Sequence, residues 1–314
     1  MTLLDKPGSR IFIASVAFLG AAILCILCAH RLLTVHAAKQ SIVTEDAPTF
    51  PQPAADSTSH HGTPVLVELF TSEGCSSCPP ADDLLARLDR DQPVPTADIV
   101  TLGEHVDYWD SLGWHDRFSS PQLTARQSAY TRRLQLDDNY TPQMIVDGLQ
   151  QFVGNDTSHA LRAIAGAAQT SKLELTLSTI TYDGAHLLGS VSCAPRPGSL
   201  PGGDIYAAVV QSTATTQVRS GENGGRTLHH ASVVRTLQRI GSLSDLAAKP
   251  LAFSLSTPRD APIAAFRVVV FAQRSGQGAI LAAVSSAESS APHPASVTVA
   301  AQSPESLSLR DHLK

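Results

Sequence analysis

Apolar and polar positions follow different rhythms in successive stretches of this chain, and each rhythm predicts its own kind of element. An uncharged, mostly apolar run from Ile11 to Ala29 follows Lys6 and Arg10, the charge order of an export signal whose N-terminus stays in the cytoplasm. The run exceeds the roughly 7–15 residues of a cleaved leader's core and approaches the roughly 20 that span a bilayer, so a cleaved signal peptide and a retained membrane anchor both stay open for 1–38. Residues 39–62 carry Pro, Ser, Thr, Asp and His with no apolar period and read as a flexible linker. His60 and His61 lie there side by side; such a pair near a cysteine dyad could hold a metal, but in a polar linker a solvated pair is expected.

Beyond the linker the rhythm becomes that of an alternating α/β segment. Val65 to Phe70 has the content of a buried strand, and Ala81 to Leu88 places apolar residues three and four apart, as an amphipathic helix does. Asp98 to Leu102 predicts a second strand and Pro121 to Leu136 a second helix. Tyr140 to Gly148 is an apolar strand opened by Pro142 and closed by an Asp-Gly turn. From Lys172 the pattern shortens to period two, with strands expected at Leu173–Ser178, Leu187–Cys193, Ile205–Gln211, Val233–Ile240, Leu251–Leu255, Phe266–Phe271 and Ile280–Val284. The predicted order is an α/β domain over 63–170, an all-β sandwich-like domain over 171–285, and a disordered tail over 286–314 rich in Ser, Pro and Ala.

Composition narrows the functions. With 314 residues, a formal net charge of −5, and neither a basic stripe nor a phosphate loop, the chain is not built for nucleic acid. An exported body meets an environment in which disulfides persist, so a periplasmic or secreted location is expected, with attachment to the inner membrane if the N-terminal segment is retained. Cys25 and Cys28 lie in the apolar leader, which leaves Cys75, Cys78 and Cys193 in the body. Cys193, within Gly189 to Ala194, is expected to be a small buried hydrophobe.

Cys75-Ser76-Ser77-Cys78, followed by Pro79-Pro80, carries the chemistry. At a helix N-terminus the unpaired N–H groups and the dipole stabilise a thiolate, making Cys75 the attacking thiol and Cys78 the resolving one. The same spacing also serves metal sites and permanent disulfides, so a redox dithiol, a thiol-based copper binder or carrier of the cell envelope, and a non-catalytic envelope protein with a structural disulfide all stand. A second cluster crowds His105, Asp107, Asp110, His115 and Asp116 with Tyr108, Trp109 and Trp114 at the end of the second predicted strand. His105 is the added ligand of the copper alternative beside Cys75 and Cys78, with Asp107 to orient its ring. In the Gly-rich stretch from Arg219 to His230, Glu222 and Arg226 could hold a ligand or pair with each other. Adjacent His229 and His230 at a strand entrance point to opposite faces and so share no site.

Strand, C-x-x-C at a helix start, then an X-Pro-apolar strand ending in Asp-Gly resembles a thioredoxin fold. That resemblance implies a cis Pro142 packed against the dithiol and a Thr141 offering backbone hydrogen bonds to an extended substrate. It also implies a buried acid on the strand before the dithiol, for which Glu68 is the counterpart; its carboxyl pKa would rise if buried, whereas an edge strand would leave it on the surface. Gly74 before the first cysteine and Ser76-Ser77 between the pair depart from the thioredoxin pattern, so no reduction potential carries over. The longer matches, Val67 to Asp82, His105 to Asp110, Tyr140 to Gln143 and Ser220 to His230, resemble more closely an exported bacterial thioredoxin-like family known as domain of unknown function 1223. It implies protein thiols or disulfides of the periplasm as partners and no cofactor beyond a redox-active disulfide.

Overall fold

The computed structural model describes residues 62–194 and 202–286. The expected leader, nearly all of the linker with His60 and His61, and the tail beyond Ser286 lie outside the described residues.

β1 (Thr63–Thr71) is buried on both faces, which is why its sequence is apolar almost throughout rather than alternating. Val65, Val67 and Leu69 pack against Leu84, Leu85 and Leu88 of α1 (Pro79–Asp91), while Leu66 and Phe70 join clusters on the other face with Leu123 and Tyr130 of α2 (Pro121–Arg133). Proline opens both helices, a position where the missing N–H costs nothing. β2 (Ala97–His105) runs parallel to β1, in register from Thr63↔Ala97 to Thr71↔His105, so α1 is the crossover. β3 (Gln143–Val146) pairs antiparallel with β1 and β4 (Gln150–Val153) antiparallel with β3. α3 (Thr157–Ala167), capped by the Asp156 side chain on the His159 N–H, lies on the α1 face.

The second half contributes β5 (Leu175–Leu177), β6 (Thr181–Tyr182), β7 (His186–Cys193), β8 (Gly203–Gln217), β9 (Thr227–Ser242), α4 (Leu243–Ala248), β10 (Leu251–Ser256), β11 (Phe266–Arg274) and β12 (Ile280–Ser285). Its strands do not keep to themselves. One eight-stranded sheet runs β12-β11-β8-β9-β2-β1-β3-β4, and β10-β7-β5 with β6 form a smaller sheet. The chain is thus a mixed α/β structure with a large central sheet and few helices among the described residues. The small sheet buries Leu187, Val191, Phe253 and Leu255 against Ile205, Val209, Val268 and Val270, so two sheet layers form in the second half, one of which continues into the first. The junction is narrow: β9 joins β2 in parallel at Gly103↔Val233. A Cβ on Gly103 would stand 3.0 Å from the Ala231 carbonyl oxygen, and glycine permits the approach.

Several elements depart from the sequence expectations. β4 and α3 were not expected; β4 is a four-residue edge strand, and α3 buries mostly small residues. β8 and β9 extend beyond their apolar cores as a polar ribbon, paired from Thr213↔Ala231 to Gln217↔Thr227, so the Gly-rich insertion shrinks to the hairpin tip at 218–226 and both histidines belong to β9. Cys193, at the end of β7, is half-buried rather than buried.

Candidate functional site

β1 ends at Thr71 and the chain turns through Ser72 to Cys75, whose N–H donates to the Ser72 carbonyl at 3.2 Å. Cys78 caps α1, its carbonyl accepting from Ala81 at 2.8 Å and Asp82 at 3.1 Å. Cys75 and Cys78 are joined in a disulfide with Cα atoms 5.4 Å apart. Both cysteines are 0% exposed, although Ser76 and Ser77 between them are exposed. The Ser77 Oγ lies 3.4 Å from the Cys75 Sγ.

The Thr141-Pro142 bond is cis, and Thr141 is tied to the dithiol turn through one side chain. Trp109 donates from Nε1 to the Thr141 Oγ1 at 2.8 Å. Its Cβ is so close to the chain before Cys75 that a Cβ on Gly74 would approach it to 3.1 Å. Gly154 completes the contact: a Cβ there would stand 2.7 Å from Leu69 and 3.1 Å from both Ala81 and Pro142. Gly154→Ala should therefore cost about 1–3 kcal/mol by overpacking between α1 and Pro142, read as a shift in urea midpoint at unchanged slope. A loss below 0.5 kcal/mol would show that the junction yields.

A buried cluster of acids and histidines adjoins this turn. His105, at the end of β2, places Nδ1 2.6 Å from the Asp116 Oδ2, which also accepts from the Glu73 N–H at 2.9 Å. The other Asp116 oxygen accepts from the Phe118 N–H at 2.9 Å. Burial would raise the Asp116 carboxyl, but His105 beside it and the two backbone donors together hold it down to about 2. Trp114 donates from Nε1 to the Glu73 Oε2 at 2.7 Å. His230 reaches in from β9, with Nε2 3.4 Å from the Glu73 Oε1 and Nδ1 3.7 Å from the Asp82 Oδ2, its ring edge-on to His105 at 4.8 Å. Asp82, in the first turn of α1, is pushed up to about 7 by burial, against the opposing pull of His230.

The hairpin tip between β8 and β9 folds onto the dithiol turn. Asn223, fully buried, donates from Nδ2 to the carbonyls of Glu73 at 2.9 Å and Cys75 at 3.0 Å. Glu222 accepts from the Ser76 N–H at 3.0 Å, and Arg226 holds the Asn223 Oδ1 at 2.6 Å. Glu222 and Arg226 thus each bind elsewhere instead of pairing with each other.

Other expected roles move as well. Glu68 is buried, but strand alternation puts it on the sheet face opposite α1, where Arg126 donates to it at 2.7 Å and the Tyr130 hydroxyl at 2.6 Å. It is not the acid that adjoins the dithiol turn; Glu73 and Asp82 are. The His105 ring is oriented by Asp116, not by Asp107, which instead accepts from the Thr124 hydroxyl at 2.6 Å. Among the described residues, no group of three or more His, Cys, Asp and Glu side chains is arranged to hold a metal ion. Asp82, His230 and Asn223 carried no role in the sequence reading, although the Ser220-to-His230 stretch that supplies the last two stood out there.

A family model described as "Protein of unknown function (DUF1223)" matches residues 66–273, which takes in the dithiol, Thr141-Pro142, the hairpin tip and His230. A crystal structure of a protein from Agrobacterium tumefaciens is similar at 26% identity and a TM-score of 0.54, covering 71% of this chain and 94% of that one. A domain of the outer membrane lipoprotein Omp28 from Porphyromonas gingivalis matches at 7% identity and a TM-score of 0.21, covering 37% of this chain and 86% of that one. No curated protein matches the chain.

Proposed function

Within the DUF1223 family, to which this chain belongs, we propose that the protein is an exported, thioredoxin-like thiol–disulfide oxidoreductase acting through Cys75 and Cys78 on protein thiols or disulfides of the periplasm. One observation carries this reading: the dithiol is oxidised at the head of α1, directly after a central strand. The Trp109 bridge from that turn to Thr141, next to Pro142, supports the thioredoxin-like arrangement.

The exchange needs no other reactant than the partner's thiols. A partner thiolate attacks the Cys75 sulfur, the bond to Cys78 breaks, and Cys78 leaves as a thiolate that takes up a proton. A second partner thiolate then attacks the mixed disulfide and releases Cys75. The partner is oxidised by two electrons and the dithiol reduced; run backwards, the steps reduce a partner disulfide. Cys75 takes the attacking role in this reading because the Ser77 hydroxyl, 3.4 Å from its sulfur, can donate to its thiolate.

Cys78→Ala removes the resolving thiol. Expressed with its full leader, it should accumulate disulfide-linked complexes on non-reducing gels, whereas Cys75→Ala should give none. Identical patterns from the two variants would sink the exchange mechanism. The complete burial of both cysteines favours a second reading, in which the disulfide braces the turn and exchanges with nothing.

A further inference from the structure

We propose that the hairpin tip at 219–226 is a cap on the dithiol, held shut by Asn223 and Glu222, and that it must lift before any thiol can attack the Cys75–Cys78 disulfide. The inference deepens the proposed exchange by naming what regulates access to it. Three observations converge. Exchange requires a nucleophile to approach a sulfur in line with the bond, yet both cysteines are 0% exposed. The tip is fastened to the backbone of the dithiol turn itself: Asn223 to the carbonyl oxygens of Glu73 and Cys75, Glu222 to the N–H of Ser76, and the Ser220 Oγ to the Gly113 carbonyl at 2.6 Å. Finally, every fastening is a hydrogen bond, not a packed apolar face. Ser220, Glu222 and Arg226 are exposed, and no residue of 219–226 joins a hydrophobic cluster, buried Val218 lying just before it.

A segment held by a few hydrogen bonds opens at far lower cost than the sheet that carries it. Glycines suit the tip to this task. Gly221 and Gly225 sit at φ +73° and +86°, and a Cβ on Gly221 would stand 3.1 Å from Trp114, so the tip reaches its closed position through backbone that other residues rarely adopt. Glu222 has a further effect. Its carboxylate occupies the Ser76 N–H, next to Cys75 in the dithiol turn, so the closed cap ties down the chain between the two cysteines and holds a negative charge beside it.

The test uses the oxidised, purified full chain and dithiothreitol. One dithiothreitol thiolate attacks Cys75, Cys78 departs as a thiolate and is protonated, and the second thiol closes oxidised dithiothreitol while releasing reduced Cys75. Freed thiols are alkylated at intervals and counted by mass. Asn223→Ala should accelerate reduction at least about tenfold, as loss of two buried hydrogen bonds implies. Glu222→Ala should accelerate it about threefold or more, and the alkylation pH profile of reduced Cys75 should shift to lower pH in Glu222→Gln. Circular dichroism melts establish that each variant is folded. If Asn223→Ala does not fold, exposed Glu222→Ala carries the test. Rates within twofold of the parent in folded variants overturn the cap. Faster reduction without partner capture by Cys78→Ala would instead retain the cap and discard the proposed oxidoreductase function.

Discussion

Arg126→Met should lower stability by about 3–5 kcal/mol at pH 7, the usual cost of removing one member of a buried ionic set. The Arg126 side chain is 5% exposed and stands between two fully buried acids, 2.7 Å from Glu68 and 3.4 Å from Glu104. Burial first, and then the Glu68 charge, holds the Glu104 carboxyl well above the usual carboxylate range, against the opposing pull of Arg126. Methionine fills a similar volume and leaves the two buried carboxyls of Glu68 and Glu104 together without their cation. The loss should shrink at pH 5, because without the guanidinium that pulls it down the raised Glu104 carboxyl keeps its proton more readily there. Glu104→Gln, by contrast, should cost little at pH 7, because it removes a carboxyl whose charged form burial already disfavours. Urea midpoints at the two pH values decide the matter: an Arg126→Met loss below 1 kcal/mol, or one independent of pH, contradicts this account. Gln273 of β11 donates to Tyr130 at 2.8 Å and accepts from Arg126 at 3.2 Å, so the failure should be felt in both halves of the chain at once.

Asp82→Asn is expected to flatten the pH dependence of stability and to stabilise the protein in mild alkali. The folded-state pKa of Asp82 is about 7 against an ordinary 3.8, so the folded protein binds this proton more tightly than the unfolded chain does. Its favourable contribution is complete below the unfolded pKa and is lost as pH rises through about 7. Each pKa unit corresponds to about 1.4 kcal/mol, which makes the whole loss about 4 kcal/mol at most. Glu73, Asp116 and His230 line the same site and remain in the variant, and Glu104 adds a slope of the same sign, so the informative quantity is the difference between the two profiles. Urea midpoints from pH 4 to 8 should converge at the acid end and separate towards pH 8, the Asn variant being the more stable. Parallel profiles would remove Asp82 from this role.

Much of the first half was legible because its apolar periods are strong. Continuous burial of β1 and the three- and four-residue spacing in α1 leave few other structures, and a C-x-x-C at a helix start brings its sulfurs within reach. The acid beside the dithiol turn was missed for a definite reason. Counting back from Cys75 selects Glu68, but only residues in step with Val67 and Leu69 face α1, and Glu68 is out of step. The alternation argument worked better for His229 and His230: one is exposed, the other buried, and they share no site. What period alone could not supply is which of the two faces inward or what it meets there. The Asn223 contact with Cys75 spans 148 positions of sequence, and no local pattern encodes such a meeting.

That separation also sets an order of events. In a chain made from its N-terminus, Cys75 and Cys78 are synthesised well before residue 223, and the single-register junction at Gly103 and Val233 can close only after β9 has been made. During this interval the Glu73 and Cys75 carbonyls lack their Asn223 partner. An oxidant that acts before Asn223 docks therefore meets cysteines that the folded chain buries, and the bond it installs is enclosed by residues made about 150 positions later.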